Sequence, residues 1–141
     1  MTDIHSILQE YRPKRRTSSL DPRVHNNPEI PTVSEIPDIF FDEIVVKYKL
    51  SRIDILVSMY LYRRVWCRPN LYREFGISQI LSHQEMCRHL SLSIEELHNT
   101  LRRLEDLGMV ATVRSGQYFV RKYFSRENDE KFGQTYDDFE I

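Results

Sequence analysis

The 141-residue sequence is poor in the residues that build covalent, metal-bound or phosphate-cradling frameworks. It has only two cysteines, Cys67 and Cys87, and they form no CxxC pair. A disulfide scaffold is therefore not expected, and a reducing cytoplasm is the natural compartment. The four glycines include no glycine-rich loop of the kind that binds phosphate groups.

Long apolar runs are also missing. No stretch approaches the roughly 18 apolar residues that cross a bilayer, and the opening MTDIHSILQEY has no apolar segment suited to a signal peptide. No serine lies in a nucleophile elbow, and no paired carboxylates mark a catalytic pocket. We therefore expect a cytoplasmic protein without a membrane partner, a cofactor or an enzymatic activity.

Charge is nearly balanced over the whole chain, at -1, but it is unevenly distributed. Residues 1–38 carry a net charge of -1, residues 39–124 of +4 and residues 125–141 of -4. A mildly basic body followed by an acidic segment fits a domain that binds a polyanion. The excess is small, so it also fits an ordinary soluble surface.

Composition divides the chain into three parts. Residues 1–38 contain five prolines and little apolar periodicity, which predicts a flexible tail. Its basic cluster Lys14 to Arg16 is either a solvated linker or a phosphate contact. Residues 39–124 predict one folded domain, and residues 125–141 predict an acidic tail. Either tail is a candidate segment for binding a protein partner.

The folded part begins with two predicted helices. Segment 39–48 is amphipathic and predicts a short helix that is also our candidate dimer contact. Ser51 and Asp54 have capping-box spacing. The following helix, to Trp66, is apolar around nearly its whole circumference, which predicts a central position. It ends before Pro69, because the residue ahead of a proline is disfavoured in helical geometry.

Two further helices follow, each with a clear start. Ser82 and Ser93 each have an acidic residue three positions later and open capping boxes. These signals predict helices over 83–90 and 94–107. Gly108 suits the left-handed residue that ends the second of them.

A β-hairpin closes the predicted domain. The runs MVATV and QYFVRKYF are rich in branched and aromatic residues, and Arg114-Ser115-Gly116 between them is a hairpin signal. The short run ISQI upstream predicts an edge strand. Half of the aromatic side chains in the second run are expected in the core, and the alternative is a platform for stacking single-stranded bases.

This order of elements resembles the winged helix-turn-helix superfamily, in particular bacterial regulators of the MarR type. The resemblance lies in Ser82, Glu85, Met86, Cys87, Leu90, Ser93, Leu97 and the ending Leu104-Glu105-Asp106-Leu107-Gly108-Met109-Val110. The upstream segment KLSRIDILVSMYLYRRVW also resembles the first helix of winged-helix domains in plasmid and phage replication initiators. The resemblance implies a mainly α fold with a three-helix core and a small β-hairpin, the wing, over residues 39–124.

The same resemblance implies a function. In such domains the last helix lies in the major groove and the wing meets backbone or minor groove. We therefore expect a non-enzymatic, bacterial-type transcription regulator that binds double-stranded DNA with helix 94–107 and wing 109–124. A homodimer is the candidate assembly. The residues carried over as DNA-binding are Glu95, His98, Asn99, Arg102, Arg103 and Arg114, with Arg63 and Arg64 as further phosphate contacts.

Two other functions fit the same features. One is a protein-interaction adaptor that binds no DNA, favoured by the carboxylates Glu95 and Glu96 at the front of the reading helix. The other is a plasmid- or phage-type replication factor. His83 and Cys87 have a spacing that suits metal binding, but no further ligand is evident in the sequence, so we expect no metal site.

Overall fold

The computed structural model describes residues 29–138, which are mainly helical with one two-stranded antiparallel sheet. The first helix, α1, is a π-helical stretch Phe40–Ile44 continued by an α-helical turn Val45–Lys47. Helix α2, Arg52–Tyr62, continues into a π-helical turn Arg63–Cys67. Next come a 3-10 turn Arg73–Phe75, α3 His83–Leu90, α4 Ile94–Asp106, β1 Val110–Arg114, β2 Gln117–Val120 and α5 Arg126–Lys131.

The chain divides into two units between Val33 and Ser34. The second unit begins five residues before the predicted boundary at Ile39. Its first residues contact α2, where Arg63 Nε donates to Ser34 Oγ at 3.1 Å. The basic cluster at 14–16 lies outside the described residues.

Helix α1 confirms the prediction of a short helix over 39–48, but its apolar side faces the core. Phe40 is fully buried, and its ring centroid lies 5.0 Å from that of Phe124. Phe41 and Val46 are the large hydrophobic side chains that this helix exposes. The candidate dimer contact is therefore reduced to these two residues.

Helix α2 is packed on several sides, as its all-round hydrophobicity predicts. Val57, Leu61 and Val65 have no exposed surface. At its end, Trp66 Nε1 donates to the Val120 carbonyl at 3.1 Å, which fixes the helix to β2. The cap residue Arg68 is extended, so the helix stops before Pro69 as predicted.

Serine caps start helices α2, α3 and α4. The capping boxes before α2 and α4 are complete. Before α3 only half of the box forms: Ser82 accepts from the Glu85 backbone N–H, while the Glu85 carboxylate lies 3.9 Å from Arg88. Gly108, with φ of 78°, follows the last residues of α4 in the expected left-handed conformation.

The hairpin pairs Val110 with Val120 and turns at residues 115–116, as predicted. Gly116 has φ of 81°, and a Cβ there would lie 2.5 Å from the Leu81 carbonyl oxygen. A glycine at 116 is therefore required both by the turn and by the close approach to Leu81.

The predicted edge strand ISQI is present only as one bridge, between Ile77 and Phe119.

The predicted acidic tail over 125–141 is corrected by the structure, because residues 125–137 fold onto the domain. Ser125 caps α5, and Asp129 is only 2% exposed. It accepts from the Tyr123 backbone N–H at 3.0 Å, from the Tyr136 hydroxyl at 2.6 Å and from Arg121 at 3.2 Å. Composition alone predicts that Asp129 is solvated. Its burial is favourable because three donors bind its carboxylate.

Within residues 29–138, none of the helices has the combination of length and hydrophobicity that a bilayer crossing requires.

Asp129→Ala tests whether this C-terminal segment stabilises the fold. The change leaves three partly buried donors without their acceptor, so we expect the free energy of unfolding to fall by about 3 kcal/mol. Chemical denaturation measures it, with Glu130→Ala, an exposed residue of the same helix, as the control. Equal midpoints for both variants would show that the segment adds no stability.

Candidate functional site

Helix α4 buries one face and exposes the other. Leu97 and Leu104 are fully buried, and Leu101 is 6% exposed, which confirms the predicted core side. The predicted DNA-reading residues on this helix all expose their side chains to solvent: Glu95, His98, Asn99, Arg102 and Arg103. An exposed helix face of this kind is available for a partner.

A cleft of about 290 Å³ lies between α4 and the hairpin. It brings together side chains from three elements, α3, α4 and the hairpin. The lining residues are His83, His98, Leu101, Arg102, Glu105, Thr112, Ser115 and Tyr118. His98 and Arg102 of the predicted set thus share one surface with the hairpin turn.

The base of this cleft is fixed by a contact that the sequence did not suggest. His83 Nε2 lies 2.5 Å from the Tyr118 hydroxyl, and the His98 ring is 5.4 Å from that of His83. Burial, and secondarily His98, lowers the pKa of His83. Burial, and secondarily Glu105, raises the pKa of Tyr118 to about 12. A tyrosine O–H that donates to a neutral imidazole fits both shifts.

His83 therefore serves as a link between α3 and β2. Within residues 29–138, no group of three or more histidine, cysteine, aspartate or glutamate side chains is placed to hold a metal. The predicted spacing of His83 and Cys87 is present on one helix, but the imidazole is used in the contact with Tyr118.

Arg103 is placed differently from the other predicted residues. Its Nε donates to Asp54 Oδ1 at 2.8 Å, and its Nη2 makes a second, short bond to the same oxygen. Asp54 is 3% exposed and also accepts from the Ser51 backbone N–H. Because both nitrogens face a buried carboxylate of α2, Arg103 fixes the position of α4, while 53% of its side chain stays exposed.

Arg114 is held at the end of β1 by a buried side chain. Its Nε donates to Gln117 Oε1 at 2.9 Å, and Gln117 Nε2 donates to the Ser78 carbonyl at 2.9 Å. Gln117 has no exposed surface, whereas Arg114 is exposed. The predicted hairpin arginine is therefore oriented by its neighbours and open to solvent.

The exposed charge of α4 is mainly negative. Glu95, Glu96 and Asp106 are exposed on it, while Arg102 is its exposed cation once Arg103 is paired with Asp54. Glu96 is used in the helix cap, since its carboxylate accepts from the Ser93 backbone N–H at 3.0 Å. An anionic partner must therefore rely on Arg102 and on the hairpin.

The predicted arginine pair Arg63 and Arg64 lies apart from this cleft. Both line a second concave pocket with Arg68 and with His89 of α3. This pocket and the cleft have no lining residue in common. The structure thus separates the predicted basic residues into two surfaces.

Comparison with known proteins found no match to this chain among protein-family models, curated proteins or solved structures. Its function is therefore inferred from its own residues and contacts. The features that bear on function are the exposed face of α4 and the cleft between α4 and the hairpin.

The pH dependence of stability tests the His83 contact. The folded-state pKa of His83 lies below the ordinary value of 6.5. At pH values between these two pKa values, the folded state therefore binds fewer protons than the unfolded state. We expect the free energy of unfolding to fall as the pH drops through 6.5, and His83→Gln to remove part of this fall. Denaturant unfolding at a series of pH values measures it. An identical pH dependence in wild type and variant would contradict the assignment.

Proposed function

We propose that α2, α3, α4 and the hairpin form a winged helix-turn-helix and that the chain is a non-enzymatic protein that binds double-stranded DNA. The order of the elements supports this proposal, as does the bridge between Ile77 and Phe119 at the position of a third short strand. The observation that carries it is the cleft in which His98 and Arg102 of α4 lie beside Ser115 of the hairpin turn. One duplex can therefore contact both elements.

In this proposal α4 enters the major groove. A helix with its side chains is about 10–12 Å across, close to the roughly 12 Å width of that groove. Asn99 is exposed on the outer face and can form two hydrogen bonds with adenine, worth about 1–3 kcal/mol of discrimination. His98 and Glu95 are the neighbouring side chains for base contacts.

Phosphate contacts are proposed for Arg102 and Arg114. Arg102 lines the cleft, and Arg114 is oriented at the hairpin by Gln117. Arg103 acts indirectly, because its bonds to Asp54 fix the position of α4 on α2. Contacts to the backbone set the register of the protein, whereas the α4 side chains select sequence.

The biological role that we propose is regulation of transcription. A homodimer would place two α4 helices in successive half-sites, and the exposed pair Phe41 and Val46 is the candidate contact. A replication factor would use the same surface at one origin. Genome-wide footprints separate the two roles, since a regulator occupies many promoters and a replication factor a single locus.

A protein-interaction adaptor is the second candidate function. It is favoured by the exposed carboxylates Glu95, Glu96 and Asp106 on the outer face of α4. Such a face repels phosphates and attracts a basic partner. The two functions differ in the sign of the charge that the face should bind.

Salt dependence of binding to random-sequence duplex DNA tests the proposal. We expect affinity to fall steeply with salt, and Arg102→Ala and Arg114→Ala each to reduce the logarithmic slope by about 1, since each removes one phosphate contact. Arg126→Ala on α5, whose native side chain lies 3.6 Å from Glu130, should leave the slope unchanged. Absence of binding at low salt would reject the DNA proposal.

Glu95→Gln distinguishes the two candidate functions. Removal of one carboxylate from a DNA-facing helix should raise affinity for random duplex about two- to fivefold at low salt, because a like-charge repulsion is lost. Glu127→Gln on α5 is the matched control, since Glu127 is also exposed near the start of a helix. Unchanged DNA affinity, together with weaker capture of a basic protein, would favour the adaptor.

A further inference from the structure

A second concave surface, which we name the arginine pocket, lies at the C-terminal ends of α2 and α3. It has a volume of about 410 Å³. Its lining residues are Tyr60, Arg63, Arg64, Arg68, His89 and Leu90. No carboxylate is among them, and neither α4 nor the hairpin contributes a residue.

Two of the three arginines of the arginine pocket, Arg63 and Arg64, are oriented by hydrogen bonds. Arg64 Nη2 donates to the Tyr60 hydroxyl at 3.1 Å, and its guanidinium lies 5.1 Å from the Tyr60 ring centroid. The same hydroxyl is 3.2 Å from His89 Nδ1. Arg63 is oriented by Ser34, to which its Nε donates. The donors of Arg63 and Arg64 are thus oriented before any ligand binds, which reduces the entropy lost on binding.

Within residues 29–138, no carboxylate forms an ion pair with the arginines of the arginine pocket. In the part of the chain that the structure describes, the ion pairs use Arg88, Arg103, Arg121 and Arg126. None involves Arg63, Arg64 or Arg68. The negative end of the α2 dipole favours cations there, but it does not require three guanidinium groups to face one concavity. An anion would neutralise their mutual repulsion.

We propose that the arginine pocket binds the phosphate group of a small phosphomonoester. Guanidinium groups match phosphate oxygens in paired hydrogen bonds, and the ring of Tyr60 with Leu90 supplies an apolar wall. The volume lies within the roughly 300–1,000 Å³ of small-ligand sites. A small ligand is favoured over the DNA backbone because the site is concave and separate from the α4 surface. The assignment holds whether or not α4 binds DNA.

Calorimetric titration of the full chain tests this site, with inorganic phosphate and adenosine monophosphate as probes. We expect saturable binding of one molecule per chain. Arg68→Gln should weaken it about tenfold, the loss expected when one charge-assisted contact is removed. Arg64→Gln should weaken it further, because the orientation of Tyr60 is lost as well. Arg88→Gln, a neighbouring exposed arginine of α3 that lies near Glu85, is the control and should bind as wild type does.

Three results would overturn the proposal. The first is the absence of saturable binding of either probe to the folded wild-type chain. The second is equal affinity in Arg68→Gln and in the control. The third is displacement of adenosine monophosphate by duplex DNA together with weaker DNA binding by Arg68→Gln, which would assign the pocket to the DNA backbone. Circular dichroism of each variant verifies that the fold is retained.

Discussion

The attachment of two different elements to helix α2 determines the geometry of the candidate site. Near the start of α2, buried Asp54 accepts two bonds from Arg103 of α4. Near its end, Trp66 donates to the backbone of β2. Because α4 and the hairpin are both fixed to one packed helix, the space between them is fixed as well. The cleft therefore depends on these two anchors as much as on the residues that line it.

Local signals predicted helices α1 to α4 and the hairpin, but they missed α5 and gave no indication of contacts between distant residues. Ser93 and Gly108 mark the two ends of α4, because capping and left-handed geometry depend on neighbouring residues. Asp54 and Arg103 are 49 positions apart, and His83 and Tyr118 are 35 apart. Nothing in sequence spacing indicates such pairs. Arg103 was therefore predicted as a DNA contact, although the structure pairs it with a buried carboxylate.

In the acidic C-terminal segment, too, the contacts between residues could not be predicted, in this case from composition. A run rich in aspartate and glutamate predicts solvation, because burial of a lone charge is costly. Three donors directed at Asp129 reverse that cost, and Tyr136 then packs its ring 4.8 Å from that of Phe119. On α4, Arg103 is paired with Asp54, so Arg102 is the exposed arginine that this pair leaves over. Recognition of DNA would thus combine few cations with oriented polar groups, and the arginine pocket would serve a separate ligand.

An NMR footprint tests the proposed DNA-binding surface most directly. Isotope-labelled protein is titrated with a short random-sequence duplex at low salt, and backbone shift changes are mapped onto the fold. We expect the largest changes at His98, Asn99, Arg102 and Ser115, with little change around Arg68. Changes centred on the arginine pocket, or none at all, would contradict the proposed DNA-binding surface.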